Sequence, residues 1–388
     1  MSQRFEVIES RSELKRIASK LAEESLVAVD IEADSLYHYL PRICLVQFSS
    51  AKETFLIDPL ATRTLAPLHP LLTSTKTRKV FHGADYDLRS LFREYSIIVN
   101  NIFDTMIASQ FVGDKEPGLG AVMKRRFDVA LEKKYQKANW SKRPLTGDML
   151  AYAAQDTAHL LKLYTELRKE LAAKGRLAWV EEECEHLIAG CTSASCRAQG
   201  GGNGPDNTPL FKRFKGAGTM ARRDLAVLEN ILRFRESEAM RQDKPPFKVF
   251  GNNLIKTLVT TKPADTSALA QTPKLPRNFM RRYGKGVLAA IREALRLPTG
   301  RLPSYPSEPR PPNNPEKQLR LQELKRWRRR CAARLKLQPG LLCNNVLLNL
   351  LAERQPTRVT DLDQIPEIRN WQKEAFGGEI IHVLNREP

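Results

Sequence analysis

Cysteine is scarce in this 388-residue chain, and its six copies, at 44, 184, 191, 196, 331 and 343, follow no regular spacing. That argues against a disulfide framework and fits a reduced, cytoplasmic protein. Cys184, His186, Cys191 and Cys196 lie near one another, but no C-x-x-C pair occurs and the segment begins in a helix, so zinc is not expected there. No apolar run approaches the roughly eighteen residues that span a bilayer. The first ten residues, M-S-Q-R-F-E-V-I-E-S, lack the apolar core of a secretion signal. Aromatic residues are 7% of the chain, and no segment pairs a basic face with the bulky exposed aromatics of an interfacial anchor.

Acidic residues run short in one half only. Residues 1–200 carry 28 Lys+Arg against 26 Asp+Glu, a balance of +2, whereas residues 201–388 carry 35 against 18, a balance of +17. A basic region of that size favours a polyanion through counterion release, and nucleic acid is the expected partner. No membrane association and no obligate protein partner are expected.

Two stretches punctuate the chain. The Gly-rich residues 198–209 read as a flexible linker and the Pro-rich residues 298–315 as an extended spacer. They separate residues 1–197, 210–297 and 316–388. The first part has short β-branched runs at 26–32, 43–49 and 53–58, spaced as an antiparallel meander. Further strands are expected at 78–82 and 99–104, helices near 86–95 and 105–112, and one long helix over 147–173. The expected fold is α/β, a mixed sheet with flanking helices. The second and third parts repeat: F-G-N-N-L-I-K-T-L-V (250–259) matches L-C-N-N-V-L-L-N-L-L (342–351), and Pro263 and Leu269 match Pro356 and Leu362. Each repeat reads as a small all-helical module. Leu324, Trp327, Cys331 and Leu335 recur at helical spacing and should face its core.

Chemistry concentrates in the first 160 residues. Asp30 and Glu32, in V-A-V-D-I-E, are two apart on a strand and so project from one face, where apolar residues would normally pack. An edge strand with one solvated face would give the same pattern. Tyr152 and Asp156, in Y-A-A-Q-D, are four apart and stack on one helix face. Asp87 follows the strand R-K-V-F-H near a helix start, where Asp often serves only as a cap; Asp85 is the better cap candidate. Asp104 reads as the cap of the next helix. His82 should pack or hydrogen-bond within its loop. Four carboxylates at one point repel unless cations sit among them, and that implies magnesium and phosphate chemistry.

The order D-x-E, then Asp, then Y-x-x-x-D in an α/β domain resembles the DEDD 3′–5′ exonuclease superfamily. The subgroup is the one with Tyr in its last motif; the other places His five residues before the final Asp, where this chain has Ala151. F-H-G-A-D-Y-D-L, N-I-F-D-T-M-I-A-S-Q and N-W-S-K-R-P-L-T (139–146) resemble the ribonuclease D family, and the two repeats resemble HRDC modules. The resemblance selects Asp87 over Asp85. It implies a ribonuclease-H-like exonuclease domain followed by two all-α HRDC domains. It also implies two divalent ions, Mg2+ or Mn2+, held by Asp30, Glu32, Asp87 and Asp156. Asp30 would bridge both ions, Glu32 and Asp156 would complete one site, and Asp87 would serve the other. Tyr152 would position the attacking water. The implied activity is release of nucleoside 5′-monophosphates from RNA 3′ ends, with tRNA precursors as the expected substrate. A DNA exonuclease of the same fold and a non-catalytic RNA-binding scaffold are the alternatives. Trp140 and Arg143 either line the substrate groove or brace the loop near the site, or else Trp140 simply packs and Arg143 forms a surface salt bridge. Lys124, Arg125 and Arg126 either meet the RNA backbone or form a solvated basic run.

Overall fold

A computed structural model describes residues 4–192, 208–305 and 314–385. Cys196, most of the Gly-rich stretch and the middle of the Pro-rich stretch fall outside them. Short helical turns are left unlabelled below.

Strands β1 (Phe5–Ile8), β2 (Leu26–Ala33), β3 (Ile43–Ser49), β4 (Thr54–Ile57), β5 (Arg78–Phe81) and β6 (Ile102–Asp104) form one sheet in the order β1-β4-β3-β2-β5-β6. The β2–β3–β4 meander is antiparallel, as its spacing suggested. The outer strands add in parallel: β1 on β4, β5 on β2, β6 on β5. β2 lies inside the sheet, with Val27, Val29 and Ile31 buried and Asp30 and Glu32 half-buried. The alternation therefore marks a second face shaped for something other than core packing.

Helices α1 (Arg11–Ala22), α2 (Asp85–Tyr95), α3 (Thr105–Val112), α4 (Leu119–Phe127), α5 (Gly147–Ala158), α6 (Leu160–Ala173) and α7 (Leu177–Thr192) flank the sheet. The single helix expected over 147–173 is two. It breaks at His159, after the Thr157 hydroxyl ties the end of α5 to Ser49 of β3 at 2.7 Å. Thr146 caps α5, and Ala153 and Ala154 let it lie close against the sheet.

Packing divides the chain into two compact units. One comprises Met1–Ala33, Arg42–Gly202 and Asn313–Pro388; the other comprises Asp34–Pro41 and Asn203–Pro312. The second unit is built on α8 (Arg222–Arg241), α9 (Asn252–Thr261) and α10 (Lys285–Arg296), around Leu228, Ile231, Leu258 and Ile291. The segment 34–41 joins this unit through Tyr39, whose hydroxyl donates to Glu236 at 2.9 Å, and through Tyr37, whose ring lies under Lys248.

The last helical part, α11 (Pro315–Leu335), α12 (Asn345–Arg354) and α13 (Asn370–Leu384), shares one continuous apolar core with the sheet domain. Trp371 stacks on Trp179 at 4.6 Å between ring centroids. The Glu182 carboxylate accepts from the backbone N–H groups of Asn370 and Trp371, at 2.7 and 2.8 Å, and so serves the positive end of α13. Leu324, Trp327 and Cys331 are buried, and Leu335 is half-buried, as the helical spacing suggested.

Candidate active site

β2 supplies Asp30 and Glu32, and α5 supplies Tyr152 and Asp156, to one open cavity of about 780 Å³. Carboxylate oxygens of Asp30, Glu32 and Asp156 all lie within 4.8 Å of one another. Same-face spacing on the strand and one-turn spacing on the helix produce this convergence. No Lys, Arg or His forms an ion pair with these three among the described residues. Burial pushes the Asp30 carboxyl up to about 7. Burial and then the Asp30 charge push Asp156 up to about 8. Glu32 is raised well above its ordinary value by burial, then by Asp30, Asp156 and Asp87. Without a cation these groups resist full ionisation together; a cation among them removes the conflict.

Asp87 is buried in the first turn of α2 and stands outside that tight trio. It is within electrostatic reach: burial, then Asp30, Asp104 and Asp85 raise its carboxyl well above the usual range. Asp85 does not cap α2; its side chain pairs with Arg89. The turn before α2 is held instead by Asp104, which accepts from Gly83 and Ala84 N–H at 2.9 and 2.8 Å. The same carboxylate caps α3 through Met106 and Ile107. One buried Asp thus fixes the turn that delivers Asp87.

Tyr152 lines the cavity, and burial, then Asp156, Glu32 and Asp30, raise its phenol above the ordinary value. It keeps its proton at neutral pH and can donate it in a hydrogen bond. His82 also lines the cavity. The Thr105 hydroxyl donates to the Phe81 carbonyl, so His82 Nδ1 donates to Thr105 Oγ at 2.9 Å. Burial lowers the imidazole's basicity.

Neither Trp140 nor Arg143 is among the residues lining the cavity. Their contacts are packing and an internal ion pair. Trp140 is buried against Tyr152, 6.1 Å between centroids. The Arg143 guanidinium binds both oxygens of buried Asp58, at 2.6 and 2.8 Å, and donates to the Trp140 and Cys44 carbonyls. Arg125 and Arg126 pair with Asp114. Lys124 and Lys133 do face the cavity.

Gln47 was not anticipated. It sits opposite Asp30 across the β2–β3 ladder, on the same face, fully buried, with both amide atoms lacking a partner. The signal was a lone polar residue inside the otherwise apolar run I-C-L-V-Q-F. An orphaned amide beside a carboxylate trio suits a site built for an ion with ordered water. The donor set, all oxygen with no Cys or His in the trio, suits magnesium or manganese rather than zinc.

The family described as 3′–5′ exonuclease matches residues 5–172, and the family described as HRDC domain matches residues 224–291 and 317–384. Ribonuclease D of Granulibacter bethesdensis is 30% identical over 98% of this chain and 93% of its own length. Ribonuclease D of Gluconacetobacter diazotrophicus is 30% identical over 97% of this chain and 91% of its own. Among solved structures, RNase D of Escherichia coli shares the fold, with a TM-score of 0.74 and 21% identity over the full length of both chains. The catalytic core of RRP6 from Trypanosoma brucei aligns with a TM-score of 0.63 and 26% identity over 76% of this chain and 80% of that one.

Proposed function

Because the chain belongs to the ribonuclease D family and is a 3′–5′ exoribonuclease, we propose that it trims the 3′ ends of structured RNAs, tRNA precursors above all, by two-metal-ion hydrolysis. The observation that carries the mechanism is the unneutralised trio Asp30, Glu32 and Asp156, with oxygens within 4.8 Å of one another. In this reading these three would hold one divalent ion, and Asp30 together with Asp87 would hold the second. Such ions would supply a nucleophilic water and charge stabilisation for the attacking and leaving oxygens of the phosphodiester.

The chain's own groups do the rest. Tyr152, kept protonated by burial and then by its acidic neighbours, orients the attacking water through its hydroxyl. Water adds to phosphorus, the bond to the 3′-oxygen of the penultimate nucleotide breaks, and that oxygen takes a proton. A nucleoside 5′-monophosphate leaves and the shortened RNA carries a new 3′-hydroxyl. Lys133, which pairs with no acid among the described residues, faces the cavity and counters substrate phosphate. The second unit and the last helical part bring the +17 balance of residues 201–388, which favours long RNA over short.

Substrate choice is supported by the relation to proteins named ribonuclease D and by the charge asymmetry. The rival reading is a DNA exonuclease, since discrimination rests on contacts to the 2′-hydroxyl. Digestion of matched RNA and DNA strands decides: RNA shortened with DNA untouched supports the proposal, and preferred DNA cleavage overturns it.

A further inference from the structure

α11 carries the densest cationic stretch in the chain. Residues 324–336 contain seven Lys or Arg (325, 326, 328, 329, 330, 334 and 336) and no acid. Some are spent: Arg326 pairs with Glu323, Arg334 with Glu379, and Arg328 donates to the Cys343 carbonyl. Lys325, Arg329, Arg330 and Lys336 are exposed and form no ion pair among the described residues. Gln322, Lys325, Arg326, Arg329 and Ala333 recur at spacings of three and four, so they form one exposed ridge. Leu321, Leu324, Trp327 and Cys331 point the other way, into the core.

The ridge is tied to the active site by backbone. At Gly113, where α3 ends with φ +114°, an added Cβ would lie 2.8 Å from the Lys336 carbonyl oxygen. Arg176 locks the same junction, donating to Phe111 O and to Leu335 O, each at 2.9 Å. The loop leaving Gly113 carries exposed Lys115 and then lines the cavity with Glu116 and Gly118. Three residues of chain span at most about 11 Å. The near end of the ridge is therefore one short loop from the cavity, and the ridge runs on for about 16 Å to Lys325.

We propose that this ridge, reached past Lys115, holds the backbone of single-stranded RNA on the 5′ side of the nucleotide being removed. The inference rests on the exoribonuclease reading of the cavity. Charge complementarity selects the occupant: three unpaired cations, Lys325, Arg329 and Lys336, spaced along one face release counterions to a polyanion. Lys325 and Arg329, one turn and about 6 Å apart, match consecutive backbone phosphates. Ala333 is the one apolar side chain on the ridge, so it offers neither a membrane anchor nor the aromatic or aliphatic centre of a protein interface. With no aromatic residue to stack on a base, the contact is blind to sequence.

The test compares wild type with Lys325→Gln/Arg329→Gln/Lys336→Asn; Asn suits the left-handed backbone of residue 336, φ +56°. The control is Lys15→Gln/Lys52→Gln/Lys76→Gln, which removes as many exposed cations elsewhere on the same unit. Binding to an RNA of about twenty nucleotides is read without divalent ion across a salt series. The ridge variant should bind about tenfold more weakly, and its log–log salt slope should fall by about 2, near 0.7 per cation. Hydrolysis of a dinucleotide with magnesium should stay within about twofold of wild type, since that substrate ends inside the cavity. An unchanged Kd and slope in the ridge variant, an equal loss in the control, or an equal loss on the dinucleotide would overturn the proposal. If the wild type degrades no RNA, the exoribonuclease reading fails by itself, and the binding comparison still decides the ridge.

Discussion

Asp30→Asn should stabilise the metal-free protein while abolishing its function. In wild type, burial has pushed the Asp30 carboxyl from 3.8 up to about 7. The folded state then holds a proton that the unfolded chain releases near pH 4, so stability falls as pH climbs from about 4 toward 7–8. A three-unit rise corresponds to about 4 kcal/mol in gross terms. The cavity is open and Asp30 keeps some exposure, so screening by water reduces this to about 1–2 kcal/mol. Asn carries no charge and escapes the penalty. Melting without divalent ion at about pH 8 should therefore rise by about 2–8 °C in the variant, and hardly change at about pH 4. Magnesium should raise the wild-type melting temperature most at the higher pH, because binding displaces protons, and should do little for the variant. The opposite outcome is an equal lowering of the metal-free melting temperature at both pH values. That result would make Asp30 a structural partner rather than a buried charge waiting for a cation.

Other outcomes follow from the same geometry. Tyr152→Phe should cut kcat about 100-fold with little change in KM, seen in steady-state RNA hydrolysis; an unaltered kcat would make the phenol a packing group. Arg143→Ala should cost about 3–5 kcal/mol in a denaturant melt by stranding buried Asp58, with RNA affinity in the folded fraction preserved; a selective loss of affinity would return Arg143 to the substrate groove. The magnesium concentration for half-maximal activity should fall as pH rises from about 6 to 8, because Asp30 and Asp156 must release protons; a flat dependence in an activity titration would contradict the raised values.

Much of the site was legible because it depends on local periodicity. D-x-E reads on one strand face and Y-x-x-x-D on one helix face wherever those elements go. The meander was legible for the same reason. What escaped was set by distant contacts. β1 joins β4 across some fifty residues of chain, with a four-residue run too short to announce itself. Thr157 reaches Ser49 and ends α5, though neither Pro nor Gly marks the break. Nothing in the sequence ties Trp371 to Trp179, about 190 residues earlier, yet the two rings stack. The last helical part is thereby an integral piece of the catalytic body, and deleting it would strip that body's core. Charge substitutions on its surface are the cleaner probe. Gln47 was visible as a letter, but its partner across the sheet was not.

The most direct test is digestion of a 5′-labelled RNA by wild type and by Asp30→Asn, with magnesium and with chelator. Wild type with magnesium should shorten the RNA progressively from the 3′ end and release nucleoside 5′-monophosphates, and RNA in the other three reactions should stay intact. Trimming that persists in chelator or in the Asp30→Asn protein, or products bearing 3′-phosphates, would contradict metal-dependent hydrolysis at the carboxylate cluster.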